Sequence, residues 1–367
     1  MRVFVVNAGS SSLKVSLVAD DDSTILERDF KASHGHFDES ELRAAVHEIE
    51  GVEAVGHRVV HGGPRYPASV RVDAQLIDYL GSISDLAPLH LPASLAAIAA
   101  VQSLLPAVPA VACFDTAFHA NLPPGASTYA IPLEWRTRLG IRRYGFHGFS
   151  HAYAARRAAD LLTRSEALLR VVTCHLGAGA SLAAVAGGRS VDTTMGFTPM
   201  EGLVMATRSG SVDPGMLLWL QRHEAMTEPE LSEALDLRSG LYALAGVADM
   251  EEVVRRANAG DDRSRLALDV YVHRLRSGIA AMAAAMNGLD AVVFTGGVGE
   301  HSAPVRAEAI GGLGFLGLEI SPELNVNVSG DADVSTPAAD AKTLVVHARE
   351  DVEVAREVRR VISANER

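Results

Sequence analysis

Cysteine is scarce in this 367-residue chain: Cys113 and Cys174 are the only two, and each lies inside an apolar run. Two such thiols build no disulfide framework and fit a reducing compartment. Long apolar runs are also missing. The alanine-rich residues 279–286 are too few, and too close to charge, to span a bilayer. Met1 leads straight into an apolar strand with no basic segment before it, so the expectation is a cytoplasmic protein. Positive charge is in deficit, with 33 Lys and Arg against 45 Asp and Glu and a net charge of -12. That argues against nucleic acid or an anionic membrane as a partner. A few local arginines can still hold an anionic substrate within a Debye length. Neither clustered Cys ligands nor an HExxH pattern is present, which disfavours a zinc site. What is there is ordinary for a globular protein: 48% hydrophobic residues and length enough for two cores.

The chain is organised around residues 171–192, VVTCHLGAGASLAAVAGGRSVD. An apolar run leads to His175 and Leu176, then to Gly177-Ala178-Gly179-Ala180-Ser181, then to a second apolar run and the turn Gly187-Gly188. This reads as strand, turn, strand. Almost every turn residue is tiny, which lets backbone N–H groups approach an anion. The competing reading is a tight hairpin packed under another element. The N-terminus repeats the pattern: Val3-Phe4-Val5-Val6, then Asn7-Ala8-Gly9-Ser10-Ser11-Ser12, then a strand from Leu13 through Lys14 to Val18. A duplicated unit opening each half predicts two related α/β domains, whose turns could grip the two ends of one polyphosphate.

Residues 39–50 have helical spacing, and 52–60 read as a strand ending in His61-Gly62-Gly63-Pro64. Arg58 sits inside that strand. A buried guanidinium is costly unless an anion or carboxylate meets it, so Arg58 marks an anion site at the strand's end or a structural salt bridge. Residues 74–86 and 92–105 read as helices, joined by Ala87-Pro88-Leu89-His90-Leu91-Pro92, and 107–114 as a strand. Asp115 follows it directly, a usual place for a catalytic or metal-binding carboxylate, with a helix N-cap as the competing role. Next, YGFHGFSH at 144–151 brackets His147 with Gly145 and Gly148, a constrained loop that aims the imidazole, ahead of a helix over 152–162. The domain boundary is placed here. Residues 1–149 form the first domain, 150–351 the second, and a closing helix within 352–367 packs on the first.

In the second half, residues 192–215 are long loops rich in Gly, Thr and Ser, the kind that are functional when ordered. They hold Arg208, a second arginine suited to an anion. Helices are predicted at 217–222, 228–237 and 250–287, the last broken near Gly260. A strand at 291–294 runs into the glycine loop TGGVGEHS at 295–302 and a helix from about 304. Strand, glycine loop, helix offers N–H groups and a dipole to a phosphate. It is not a Walker A loop, and it lacks the βαβ context of a Rossmann fingerprint. A last strand at 343–347 precedes Glu350-Asp351 and a helix over 352–362.

Together these motifs resemble the acetate kinase family, from end to end and in the family's order. They are NAGSSSLK (7–14), GHRVVHGG (56–63), FDTAFH (114–119), YGFHGFSH (144–151), HLGAGASL (175–182), DTTMGFTPMEGL (192–203), TRSGSVDPG (207–215) and FTGGVGEHS (294–302). The resemblance implies two duplicated ribonuclease-H-like α/β domains of the actin, hexokinase and Hsp70 type, facing a central cleft, in a homodimer. It implies reversible transfer of the ATP γ-phosphoryl to acetate, giving acetyl phosphate and ADP, with Mg2+ or Mn2+. It assigns Asp115, His147 and Arg208 to catalysis, Arg58 and Arg208 to the carboxylate and the phosphoryl group, and Asn7 and Glu350 to the metal. On the nucleotide side it places Lys14, the loop His175, Leu176, Gly177, Ala178, Gly179, the segment Asp249, Met250, Glu251, and Gly297, Val298, Gly299, Glu300, His301.

The chain departs from the family pattern at four places. Ala178 and His301 stand where asparagine is usual, Glu251 where arginine is usual, and His90-Leu91-Pro92 where His-Asn-Pro is usual. Three of the four fall on the nucleotide side, so the acyl-phosphate chemistry is better supported than the donor's identity. The alternatives are a propionate or butyrate kinase, a pyrophosphate-dependent variant, and, from another class, a non-catalytic nucleotide-binding module. The last needs none of the acceptor-side residues Arg58, Asp115, His147 and Arg208.

Overall fold

The computed structural model describes residues 1–9, 12–33, 36–88 and 90–364. Ser10 and Ser11 of the first turn, Leu89 of the helix connector and the last three residues of the closing segment lie outside the described residues. The chain divides into two compact units. Unit one comprises Met1–Ala120, Phe146–Tyr153 and the described residues from Arg349 on; unit two comprises Asn121–Gly145 and Ala154–Ala348. Residues 121–145, read from sequence as part of the first domain, thus cluster with unit two.

In unit one, β1 (Val3–Ala8), β2 (Ser12–Val18) and β3 (Thr24–Ser33) pair antiparallel in succession, and β4 (His36–Phe37) extends the edge. On the other side of β1, β5 (Ala54–Val59) lies parallel. Beyond it come β6 (Val70–Arg71) and β7 (Ala110–Phe114), giving the order β4-β3-β2-β1-β5-β7-β6. The inner strands are apolar on both faces, as strands covered on both sides must be. One face packs on helices Glu39–Glu48 and Leu91–Leu104 through Val6, Leu13, Leu42 and Ala97. The other packs on helix Glu350–Ala364 through Val5, Val111, Val354 and Val358.

Unit two repeats the plan. β8 (Arg170–Leu176), β9 (Ala180–Ala186) and β10 (Arg189–Thr193) pair antiparallel, and β11 (Ala291–Thr295) lies parallel to β8. β12 (Ala332–Asp333) and β13 (Lys342–Val345) complete the order β10-β9-β8-β11-β13-β12. Without the edge strands, both sheets run in the order 3-2-1-4-5 with the same strand senses, and each ends in a short antiparallel edge strand. The first parallel ladder ends at the pair Asn7 and Arg58, its counterpart at His175 and Thr295. The duplicated α/β fold expected from the two strand–turn–strand units is therefore present.

Several helices begin on an aspartate. Asp73, Asp213, Asp249 and Asp261 each accept a backbone N–H from the first turn of the helix that follows. Three local readings change. Strands 24–33 and 189–193 go beyond the sequence expectation, because their many polar residues hide the period. The histidine loop is shorter than expected, since helix Gly148–Leu161 begins inside it. The glycine loop at 295–302 is itself a helix, Gly296–His301, followed at once by Ala303–Gly311.

Candidate active site

Unit one gathers five of the candidate residues at the C-terminal ends of its parallel strands. Arg58, next to last in β5, meets Asp115, the first residue past β7, edge-on. Its Nε lies 3.0 Å from Oδ1 and its Nη2 2.5 Å from Oδ2. Its Nη1 donates to Asn7 Oδ1 at 2.9 Å, and Glu350 Oε2 stands 3.5 Å from Nε. Asp115 is fully buried and Arg58 nearly so. The salt-bridge reading of Arg58 is thus realised, and the N-cap reading of Asp115 is not, because both carboxylate oxygens are turned to the guanidinium. Burial pushes Asp115 up to about 6, against the pull of Arg58 and of the His147 backbone N–H and with the help of Glu350. Burial draws Arg58 down, but the carboxylates of Asp115 and Glu350 outweigh it and hold the guanidinium charged.

His147 is fixed by backbone geometry. Its φ is +56°, the left-handed region that costs a non-glycine residue of order 1 kcal/mol or more. Two contacts hold it there. Its N–H reaches the Asp115 carboxylate, and its carbonyl accepts from His151 at 3.0 Å. Gly148 lies so close to the Asp115 carbonyl that a Cβ would stand 2.0 Å from the oxygen, so only glycine lets the loop sit on the strand end. Neighbouring His119 bonds the Phe146 carbonyl at 3.1 Å and has its ring 5.7 Å from that of His151. Lys14 stands opposite Asn7 in the β1–β2 ladder, but its amine points to Asp29, 3.6 Å away, on the exposed side.

For a metal, the cluster offers the amide oxygen of Asn7 and the carboxylates of Asp115 and Glu350, hard oxygen donors of the type Mg2+ prefers. Among the described residues no group of three or more His, Cys, Asp or Glu forms a closed cage. A magnesium ion here would complete its shell with water and phosphate oxygens, its usual habit.

Unit two holds a cleft of about 440 Å3. Gly177 and Ala178 line one side, and Asp249, Met250 and Glu251 another. Gly297, Val298 and His301 of the glycine-rich helix complete the set of candidates in its wall. The other nucleotide-side candidates stand elsewhere. Leu176 is fully buried, so only its backbone could face a ligand. His175 is the penultimate residue of β8, Gly179 closes the turn by accepting the Gly177 N–H at 2.9 Å, and Gly299 packs on Phe294. Glu300 turns back into the protein, accepting from the backbone of Gly296 and Ala348 at 3.0 Å each and meeting His347 Nδ1 at 2.6 Å. Asp249 spends its carboxylate on its own helix, accepting from Glu252 N–H at 2.9 Å.

Arg208 lies in unit two, on the loop after β10. Its Nε donates to Asp236 Oδ1 at 2.7 Å, and Thr207 and Ser209 bond the carbonyls of Asp236 and Leu235, so the loop is stitched to helix Glu228–Leu237. Sequence reading missed Asp236. It also missed the network that shapes residues 194–202. Arg143 donates to Glu201 Oε1 at 2.7 Å and to the carbonyls of Thr194 and Met195 at 3.0 Å. Tyr129 donates to Glu201 and accepts from Phe197 N–H at 2.9 Å. No sequence signal joins them, because Tyr129 and Arg143 lie 72 and 58 residues before Glu201.

The profile of the acetokinase family matches residues 29–356. An acetate kinase of Gloeobacter violaceus is 51% identical over 83% of this chain and 76% of its own length. One of Geobacillus kaustophilus is 40% identical over 98% and 99%. Among solved structures, a propionate kinase from Francisella tularensis superposes with a TM-score of 0.89 at 34% identity, covering 98% of this chain and 99% of its own. An acetate kinase from Porphyromonas gingivalis superposes at 0.88 and 32% identity with the same coverage. With the duplicated sheets, the buried Arg58–Asp115 pair and these matches in hand, the chain belongs to the acetokinase family.

Proposed function

We propose that the protein transfers the γ-phosphoryl group of ATP to acetate, reversibly, giving acetyl phosphate and ADP. The observation that carries this reading is the convergence of Arg58, Asn7, Asp115 and Glu350 at the strand ends of one unit. The acetate carboxylate is already a nucleophile at neutral pH, so no general base is required. The protein has to position the reactants in line and place positive charge around the equatorial phosphoryl oxygens. Arg58 and Arg208 are the planar donors suited to a carboxylate and a phosphoryl group. Asp115, held by Arg58 through both oxygens, orients that guanidinium and takes no proton from substrate. The backbone strain at His147 aims its imidazole, which donates to the transferring group. Mg2+, held by Asn7 and Glu350, would neutralise phosphate charge.

The cleft lined by Gly177, Gly297 and Val298 takes the nucleotide, its small residues admitting phosphate to the backbone. We place the enzyme in the cytoplasm, in keeping with its two buried free thiols; no helix among the described residues is long and apolar enough to cross a membrane. A homodimer is supported by helix Pro214–His223, which buries none of its residues and leaves Met216, Leu218 and Trp219 exposed.

The test is acyl phosphate formation trapped as the hydroxamate, with acetate, propionate and butyrate against ATP and pyrophosphate, with and without magnesium. Acetate with ATP should win, and EDTA should abolish the product. Product with pyrophosphate alone would keep the acceptor assignment and remove the donor one. Nucleotide binding with no product from any pair would leave a binding module.

A further inference from the structure

The helix Gly296–His301 has three glycines in six residues and is too short to persist alone. Its neighbour Arg306 holds it. Arg306 is 1% exposed and is the largest fully buried side chain among the described residues. Its Nη1 donates to the carbonyls of Gly299 at 2.8 Å and Glu300 at 2.7 Å. Its Nε and Nη2 donate to the side chain and backbone oxygens of Asn325, both at 2.7 Å. Asn325 in turn donates to the Ala303 carbonyl at 2.9 Å. Every acceptor is neutral, and among the described residues no carboxylate pairs with the guanidinium. Burial draws it down only to about 10, so it stays charged at neutral pH.

A buried charge without a counter-ion is expensive, and an apolar residue of similar volume would serve packing better. The charge does have two negative neighbours to answer. One is the carbonyl end of the short helix. The other is whatever anion fills the cleft, because Val298, His301 and Pro304, on either side of the two bonded carbonyls and on Arg306's own helix, line it. We propose that Arg306 is a positioning residue for the phosphoryl donor: it fixes the cleft-lining helix and leaves beneath it one uncompensated positive charge that an anionic phosphate chain answers. The proposal rests on the nucleotide reading of this cleft.

The experiment is calorimetric binding of ATP, ADP and adenosine to the full-length protein, beside its steady-state kinetics. Arg306→Met should weaken ATP and ADP binding at least tenfold and adenosine less than threefold, with the KM for the acceptor unchanged. Arg306→Lys, which keeps the charge and loses the fork, should hold ATP within about threefold of wild type, and it carries the test if the methionine variant does not fold. Equal losses for ATP and adenosine, or a tenfold loss in the lysine variant, would overturn the proposal. Wild-type protein that binds none of the three ligands would instead remove the nucleotide reading beneath it.

Discussion

The Arg58 guanidinium and the Asp115 carboxylate meet along both edges, at 3.0 and 2.5 Å, in a place where Asp115 has no exposure to water. The contact ties the end of β5 to the residue after its sheet neighbour β7, 57 positions further along the chain. Asp115 is raised, to about 6, by burial first, with Glu350 adding to it. A carboxyl whose folded pKa exceeds its unfolded value favours the fold below the unfolded pKa, and that contribution is lost as pH rises through about 6. Activity runs the other way, because a protonated Asp115 releases Arg58. Between pH 4 and 6.5, wild-type stability relative to Asp115→Asn should fall while relative kcat rises. Urea midpoints and hydroxamate rates over this range check it, and parallel trends would rule it out.

At His147 the proposed catalytic role can be separated from stability. Its φ of +56° suits glycine, so His147→Gly removes strain of about 1 kcal/mol while adding unfolded-state entropy. We expect the urea midpoint to stay within about 1 kcal/mol of wild type and kcat to fall at least a hundredfold. Gly148→Ala should do the reverse in part. Its new methyl would stand 2.0 Å from the Asp115 carbonyl, so stability drops by about 2 kcal/mol and activity falls with it.

How much of this was legible follows from where the partners lie. Arg58 stood out because a charge inside an apolar strand needs an explanation, and Asp115 because it follows a buried strand without a gap. The duplication was readable because each half opens with the same strand–turn–strand pattern, but the sheet order was not, since the third strand of each sheet carries no clear period. Arg306 was not readable. In PVRAEAI it resembles a solvated helix residue, and only the fold brings Asn325 and the carbonyls of Gly299 and Glu300 around it. Asp236 was invisible for the same reason, lying 28 residues beyond the arginine it holds. Glu300 sits in the glycine motif, but its carboxylate faces the protein, which its sequence position alone does not reveal.

The cleft offers a gain-of-function prediction. Among the described residues in its wall there is no lysine or arginine, and the exposed Glu251 supplies negative charge where the proposed nucleotide would bring its own. Glu251→Arg removes that repulsion and adds a donor, a change worth roughly tenfold, the size of one charge-assisted hydrogen bond. The KM for ATP should fall by about that factor, with the acetate KM unmoved. An unchanged ATP KM would mean that Glu251 sits clear of the donor.

The loop at 194–202 gives the last prediction. Gly196 packs so tightly into the Tyr129–Glu201–Arg143 network that a Cβ would stand 1.7 Å from Glu201 Oε2 and 2.1 Å from the Tyr129 hydroxyl. Both are side-chain tips, but both are fixed, Glu201 by Arg143 and Tyr129 by the Phe197 N–H. Gly196→Ala must therefore break the tyrosine–glutamate bond or move the loop. Tyr129→Phe removes one bond and leaves the space alone. If the network only braces the loop, Tyr129→Phe should cost about 1 kcal/mol and leave kcat within threefold, because Arg143 still holds Glu201. Gly196→Ala should cost about 2 kcal/mol and lower kcat tenfold or more, since Arg208 is reached by the same loop and its Nη1 lies 3.5 Å from the Pro199 carbonyl. Matched urea titrations and hydroxamate assays decide it: equal kinetic effects of the two variants would place Tyr129 itself in contact with substrate.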